Sequence, residues 1–267
     1  MRSTDGSRFS PAAGLVLAAL CVTAAGAAAQ GTTFYENLHY QVFHGDTLDP
    51  RAHLYDSEDF QSMLLLPGHG PALLLELQAG TVYEIPEDAM DLTGEDPVLT
   101  RPEAGLMAGS LEKEDGSIQI DLAGRSFRLS PAPELLGEVD LTKLLSVKPS
   151  YALDARAYEP ETNAVTALRT ARVPTDIYVV FGTWCQLCKR VVPAVIRTME
   201  AVGNPNFELH FIGVDEDLTD PEDWIERLRI GATPTVIMMQ DGRELGRIEE
   251  TAEPSVEGAL ARIIGVG

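Results

Sequence analysis

The order of apolar and polar residues divides the chain into two regimes. From Thr32 to about Glu159 the apolar runs are short and broken by Gly, Pro, Asn and Asp, with no sustained helical period, which predicts a β-rich module. Its clearest element is Ile118-Gln119-Ile120-Asp121-Leu122, an alternation that marks a strand with one buried face. The chain then turns at Ala123-Gly124 into Ser126-Phe127-Arg128-Leu129, and Glu114-Asp115-Gly116 supplies the turn from a preceding strand at Gly109–Lys113. Ser62–Leu66, Ala72–Leu77 and Thr81–Ile85 are further predicted strands, the first two joined through Pro67-Gly68-His69-Gly70-Pro71.

The second regime begins near Pro160. Thr162 to Thr170 carries Val165 and Leu168 at helical spacing among good helix formers. Ile177-Tyr178-Val179-Val180-Phe181 is an unbroken apolar run of β-branched and aromatic residues, which predicts a strand buried on both faces of a mixed or parallel sheet. Val191–Val202 returns to helical spacing. Phe207–Val214 predicts a strand, Pro221–Leu228 a helix capped by Asp220, Thr235–Met239 and Glu244–Ile248 two strands, and Val256–Ile264 a helix. The pattern therefore reads as a β-rich module over 30–159 of undetermined fold, followed by an α/β domain over 160–267 with a mixed sheet flanked by helices.

The first thirty residues stand apart from both. Arg2 and Arg8 precede an apolar stretch from Ala12 to Ala25 and then Ala27-Ala28-Ala29, the layout of a secretory signal over residues 1–29. The stretch is shorter than the ~20 residues that cross a bilayer, so a retained anchor is the weaker alternative, and no later segment could span one. Cys21 lies inside the signal, and Leu20 before it is bulkier than lipoprotein processing accepts. The mature chain is expected to start near Gln30 and to be periplasmic or secreted.

Charge removes some function classes. The 267 residues carry a net charge of −21, and a surface this acidic repels phosphate backbones, so nucleic-acid binding is not expected. Residues 30–159 hold 8 basic and 23 acidic residues, against 10 and 17 in residues 160–267, so most of the acidity belongs to the first module.

Cleavage would leave two cysteines, Cys185 and Cys188, in an exported chain. A bridge across two residues closes too small a loop to contribute much stability, so a purely structural role looks wasteful. Trp184-Cys185-Gln186-Leu187-Cys188-Lys189 follows the buried strand and opens a helix. A cysteine there lies beside unpaired N–H groups and the positive end of the helix dipole, which favour its thiolate. That assigns nucleophilic attack to Cys185, and Cys188 is within reach to resolve the mixed disulfide. The competing readings of the pair are half of a zinc site and an inert bridge. His39, His44, His53, His69 and His210 show no paired ligand spacing to complete a zinc site, and no metal is expected. A calcium loop over Asp215, Asp217, Thr219 and Glu226 fails because Asp220 stands where a glycine is required.

Taken together, these residues resemble a thioredoxin-family domain covering about Pro160 to Gly267, roughly two-fifths of the chain. Pro193 stands five residues after Cys188, where the family bends its active-site helix, and Thr233-Pro234-Thr235 stands 49 residues after Cys185, as the family's cis-proline does. Asp241-Gly242 matches the last hairpin turn. The resemblance implies a thioredoxin fold, protein disulfides or thiols as substrates, an electron-donor protein as partner and no cofactor. It also implies that the backbone of Thr233 pairs with the substrate chain beside Pro234.

Departures from the family pattern are specific. The buried acid that fast reductases carry five residues before the Trp is Val179 here, and Glu249-Glu250 occupy the position of a small-residue substrate loop. Those carboxylates are candidates for proton transfer, with a solvated strand end as the alternative. Gln186-Leu187 has neither the proline of strong reductants nor the histidine of strong oxidants, so a modestly lowered Cys185 pKa and a potential toward the reducing side are expected. Trp184 and Leu187 are expected to form an exposed apolar contact for substrate. The resulting expectation is an exported thiol–disulfide oxidoreductase, more a reductase. The alternatives are an isomerase or oxidant dimerised through its first module, and an interaction protein with an inert bridge.

Overall fold

The computed structural model describes residues 31–251 and 255–265; the signal segment, Cys21 and the cleavage site expected near Gln30 lie outside them. The first layer is built from β1 (Thr32–Glu36), β2 (Tyr40–His44), β3 (Thr47–Leu48), β4 (His53–Ser57), β5 (Ser62–Leu66), β6 (Ala72–Glu76), β7 (Thr81–Ile85), β8 (Met90–Asp91), β9 (Val98–Leu99), β10 (Leu106–Glu114), β11 (Ser117–Leu122) and β12 (Arg125–Pro131). They form a single antiparallel sheet of 12 strands in the order β3-β2-β12-β11-β10-β7-β6-β5-β4-β1-β9-β8. β5 and β6 are buried on both faces because their apolar runs are continuous. Leu65, Leu73, Leu75, Ile120 and Phe127 fill one core, while Leu64, Leu74, Ile85 and Phe34 fill another. The alternating β11 instead buries Ile118 and Ile120 while Asp121 stays exposed, as its pattern requires.

The second layer comprises β13 (Gly137–Val139), α1 (Leu141–Val147), α2 (Ser150–Ala157), α3 (Thr162–Arg169), β14 (Thr175–Phe181), α4 (Cys188–Val202), β15 (Phe207–Gly213), α5 (Glu222–Leu228), β16 (Thr235–Gln240), β17 (Arg243–Glu249) and α6 (Val256–Ile263). Its sheet is mixed, in the order β13-β15-β14-β16-β17, with β14 parallel to β15 and the other pairs antiparallel. β14 is buried on both faces. Ile177, Val179 and Phe181 point into the larger core with α1 to α4 and α6, and Val180 points into a second core with Ile212, Ile237 and Leu228 of α5. Asp241 and Gly242 both have positive φ, 48° and 73°, as the β16–β17 turn requires.

Two expectations are corrected here. The division near Pro160 is too late: β13 pairs with β15, and Leu135, Leu144, Val147, Tyr151 and Ala155 belong to the core of the second layer. The sheets therefore part between Pro131 and Gly137, and the described residues form one compact unit from Gly31 onward. Asp220 does not cap α5, which has Pro221 at its N-cap without a side-chain bond. Asp215 instead accepts the backbone N–H groups of Thr219 and Asp220 at 2.7 and 2.9 Å, closing the preceding loop.

Candidate redox site

β14 delivers the chain to the site and α4 carries it away. Between them Gly182 and Thr183 are buried, and a Cβ on Gly182 would collide with the indole of Trp184. Only glycine lets the half-buried Trp184 fold back over this turn and donate from Nε1 to the Val214 carbonyl at 3.3 Å. Cys185 and Cys188 form a disulfide, with Cα atoms 5.2 Å apart. Cys185 is 4% exposed and Cys188 0%. α4 starts at Cys188 rather than at Cys185, and the Cys188 N–H donates to Cys185 Sγ at 3.0 Å. A backbone donor aimed at this sulfur favours its anion once the bridge opens.

Pro193 is buried inside α4. The Thr233–Pro234 peptide bond is cis, with Thr233 half-buried and Pro234 buried immediately before β16. Glu250 donates its N–H to the Pro234 carbonyl at 2.8 Å, so the Glu249-Glu250 pair borders this loop. Both side chains are exposed, and Glu249 lies 3.6 Å from Arg247 Nη1. Trp184 and Leu187 are both half-buried rather than exposed and pack against the core of the second layer, Leu187 from the N-cap of α4.

Sequence reasoning missed the residues that join the first layer to this site. Gln186 Nε2 donates to the main-chain carbonyl of Glu36 at 2.8 Å, and Lys189 Nζ donates to Glu36 Oε1 at 2.5 Å. His53 Nδ1 lies 3.1 Å from the same oxygen. Burial pushes the Glu36 carboxyl up, but the hydrogen bonds and charges of His53 and Lys189 outweigh it and hold the pKa below the ordinary value. Behind this contact a cavity of about 440 Å³ is lined by Glu36, His53, Lys148, Tyr151, Asp154 and Lys189. Burial lowers the Lys148 amine to about 8, opposed by Glu36 and reinforced by Lys189. Burial also raises Asp154, opposed by Lys189 and His53. The Gln186 and Lys189 contacts link residues about 150 positions apart, and no local pattern announces them.

Among the described residues, one group of potential metal ligands converges, Asp176, Glu208 and His210, with ligand atoms within 4.8 Å of one another. It lies on β14 and β15, and His210 Nδ1 is also 2.8 Å from Glu138. Glu208 and His210 share a strand face at a spacing of two, a period that belongs to strands and not to helical or CxxC-type ligand motifs. Among the described residues no helix is long and apolar enough to cross a membrane.

No family model matches the chain. A thioredoxin from Echinococcus granulosus is 30% identical over 76 residues, 28% of this chain and 65% of that protein. A thioredoxin from Alternaria alternata is 26% identical over 91 residues, covering 34% and 72%, and Thioredoxin-2 from Pyricularia oryzae is 24% identical over 81 residues, covering 30% and 44%. The match to the Echinococcus protein thus spans slightly less than two thirds of its length. Among solved structures, a Pseudomonas aeruginosa protein of unknown function aligns with a TM-score of 0.39 and 17% identity, over 49% of this chain and 91% of that one. An HIV epitope scaffold aligns with a TM-score of 0.40 and 17% identity, over 49% and 94%. The thioredoxin relatives support a thioredoxin-like family, and with the disulfide-capable cysteine pair they point to thiol–disulfide redox chemistry.

Proposed function

We propose that the chain is an exported thiol–disulfide oxidoreductase that reduces disulfides in protein substrates through Cys185 and Cys188. The observation that carries this reading is the bond from the Cys188 N–H to Cys185 Sγ, which makes Cys185 the sulfur better suited to bear negative charge. In the reaction the Cys185 thiolate attacks one sulfur of the substrate disulfide, forming a mixed disulfide and expelling the other sulfur as thiolate. The Cys188 thiolate then attacks Cys185 Sγ, closing the bridge and releasing the second substrate thiolate. Two electrons leave the enzyme dithiol, and an electron-donor protein returns them.

Thr233 and Pro234 hold the substrate backbone, and Trp184 contributes the apolar surface beside Cys185. Glu249 and Glu250 border that loop and serve proton transfer; replacing both with Gln leaves the pH-dependence of exchange unchanged if they do not. Reduced protein is expected to cleave insulin disulfides catalytically, and a Cys185→Ser variant that keeps the rate would refute the mechanism.

A second reading rests on one observation, the 4% exposure of Cys185: an interaction protein whose bridge stays closed. A folded Cys188→Ser variant that forms no mixed disulfide with oxidised substrate favours this second reading; a trapped adduct removes it.

A further inference from the structure

We propose that Glu36, a residue of the first layer, sets the reduction potential of the Cys185–Cys188 couple by neutralising Lys189. The inference rests on the oxidoreductase reading above, and Glu36 acts through Lys189 as a positioning residue, without touching substrate.

Glu36 ends β1, and it grips the residue that follows each cysteine. Its carbonyl holds the side-chain amide of Gln186, next to Cys185, and its carboxylate holds the ammonium of Lys189, next to Cys188. The ion pair is shielded, with side chains 15% and 27% exposed, so its field is screened far less than that of a surface pair. An unpaired ammonium in the first turn of α4 would add to the positive end of the helix and favour the thiolates of the reduced state. The Glu36 carboxylate cancels that field.

His53 of β4 shares the same carboxylate oxygen, and Lys148 and Asp154 flank the cavity from the end of α1 and from α2. Arg190 pairs instead with Glu95 at 3.5 Å, where both side chains are largely exposed. Glu36 is thus the carboxylate bound directly to Lys189.

The sign follows from the exchange reaction. Two glutathione thiols reduce the Cys185–Cys188 bond, giving two protein thiols and one glutathione disulfide; two electrons pass to the protein, and protons follow to whichever sulfurs are not thiolate. Removing the negative charge of Glu36 stabilises the reduced side, and removing the positive charge of Lys189 destabilises it. A single charge about 10 Å from a thiolate, at an effective dielectric of about 20, moves such an equilibrium roughly tenfold.

The test is the equilibrium constant with glutathione at neutral pH, measured on the full chain carrying Cys21→Ser so that Cys185 and Cys188 alone report. Glu36→Gln, which keeps the backbone carbonyl for Gln186, is expected to raise the constant about tenfold, or about 30 mV for this two-electron couple. Lys189→Met is expected to lower it by a similar factor, and the double variant to return toward the parent. Loss of a merely structural contact would not move the two single variants in opposite directions. Shifts of the same sign, or constants within about twofold of the parent, would overturn the inference while leaving the oxidoreductase reading intact. Should Glu36→Gln fail to fold, Lys189→Met decides alone, a fall supporting the inference and no change overturning it. A parent chain that does not exchange at all refutes the oxidoreductase reading, and the inference with it.

Discussion

Glu257 provides the most exposing test of how the second layer is held together. It is a carboxylate at 1% exposure, near the start of α6. It accepts from the Glu161 backbone N–H at 2.7 Å, from the Tyr158 hydroxyl at 2.9 Å and from the buried Thr198 hydroxyl of α4 at 3.4 Å. One side chain thus ties α6 to the start of α3 and to the helix that carries Cys188. Burial alone would raise its pKa; the N–H of Glu161 and the hydroxyls of Tyr158 and Ser255 outweigh it and hold the pKa below the ordinary value. Glu257→Leu removes the acceptor and strands its donors. Charge-assisted bonds contribute roughly 1.5–3 kcal/mol each, and stranded buried donors cost about 1–3, with heavy overlap between the two. We expect a loss of about 3–4 kcal/mol for Leu and about 1–2 for Gln, which keeps an acceptor without the charge.

For a chain of this size 1 kcal/mol corresponds to about 2–4 °C in Tm, so Glu257→Leu should melt roughly 6–16 °C below the parent. The pH dependence has a definite sign. Because the folded pKa is depressed, the carboxylate's contribution is fully present above the unfolded pKa of about 4.3 and is lost as pH falls through the folded pKa. Urea titrations of the parent and Glu257→Gln should therefore differ at pH 7 and converge in acid. A Glu257→Leu variant within about 0.5 kcal/mol of the parent, or a parent–Gln difference that grows on acidification, would refute the reasoning.

Two further outcomes follow from the site. Gly182→Ala forces the Trp184 indole off the turn, with an expected cost of about 2–3 kcal/mol from overpacking and a shift in Trp184 emission, read in a Trp224→Phe background; an unchanged spectrum and stability would contradict the packing. Lys148, lowered to about 8 by burial, is protonated more readily in the unfolded chain, so its cost to folding is full below about 8 and vanishes as pH rises toward the unfolded value. Lys148→Met should therefore stabilise the protein at pH 7, by an amount on the order of 1 kcal/mol, with the gain disappearing near pH 10.5; a stabilisation independent of pH would assign the effect to packing.

Much of the second layer is legible in its residues for a physical reason. Ile177 to Phe181 reads as doubly buried because no polar residue interrupts it, and the pattern from Val191 to Val202 reads as a helix because one face of it must meet that strand. The cysteine pair, Pro193 and the Thr233-Pro234 step are local sequence features. The helices α1 and α2 are harder to read: α2 is short and nearly balanced between apolar and polar, and Lys148-Pro149 interrupts the stretch. Their place beside α4 follows from Tyr151 and Ala155 finding an apolar partner there, which is why the boundary drawn at Pro160 falls inside the second layer.

What the sequence determined by itself is the alternation of buried and exposed positions, the turn chemistry and the identity of the sulfurs, since each depends on residues within a few positions of one another. What only the tertiary structure decided is everything that depends on which distant surfaces meet. Leu187 turns inward, Asp176 of β14 meets Glu208 and His210 of β15, and Glu36 closes over Gln186 and Lys189. Charge complementarity between segments 150 residues apart leaves no periodic trace, because a carboxylate at the end of a strand looks the same in sequence whether it meets water or a lysine.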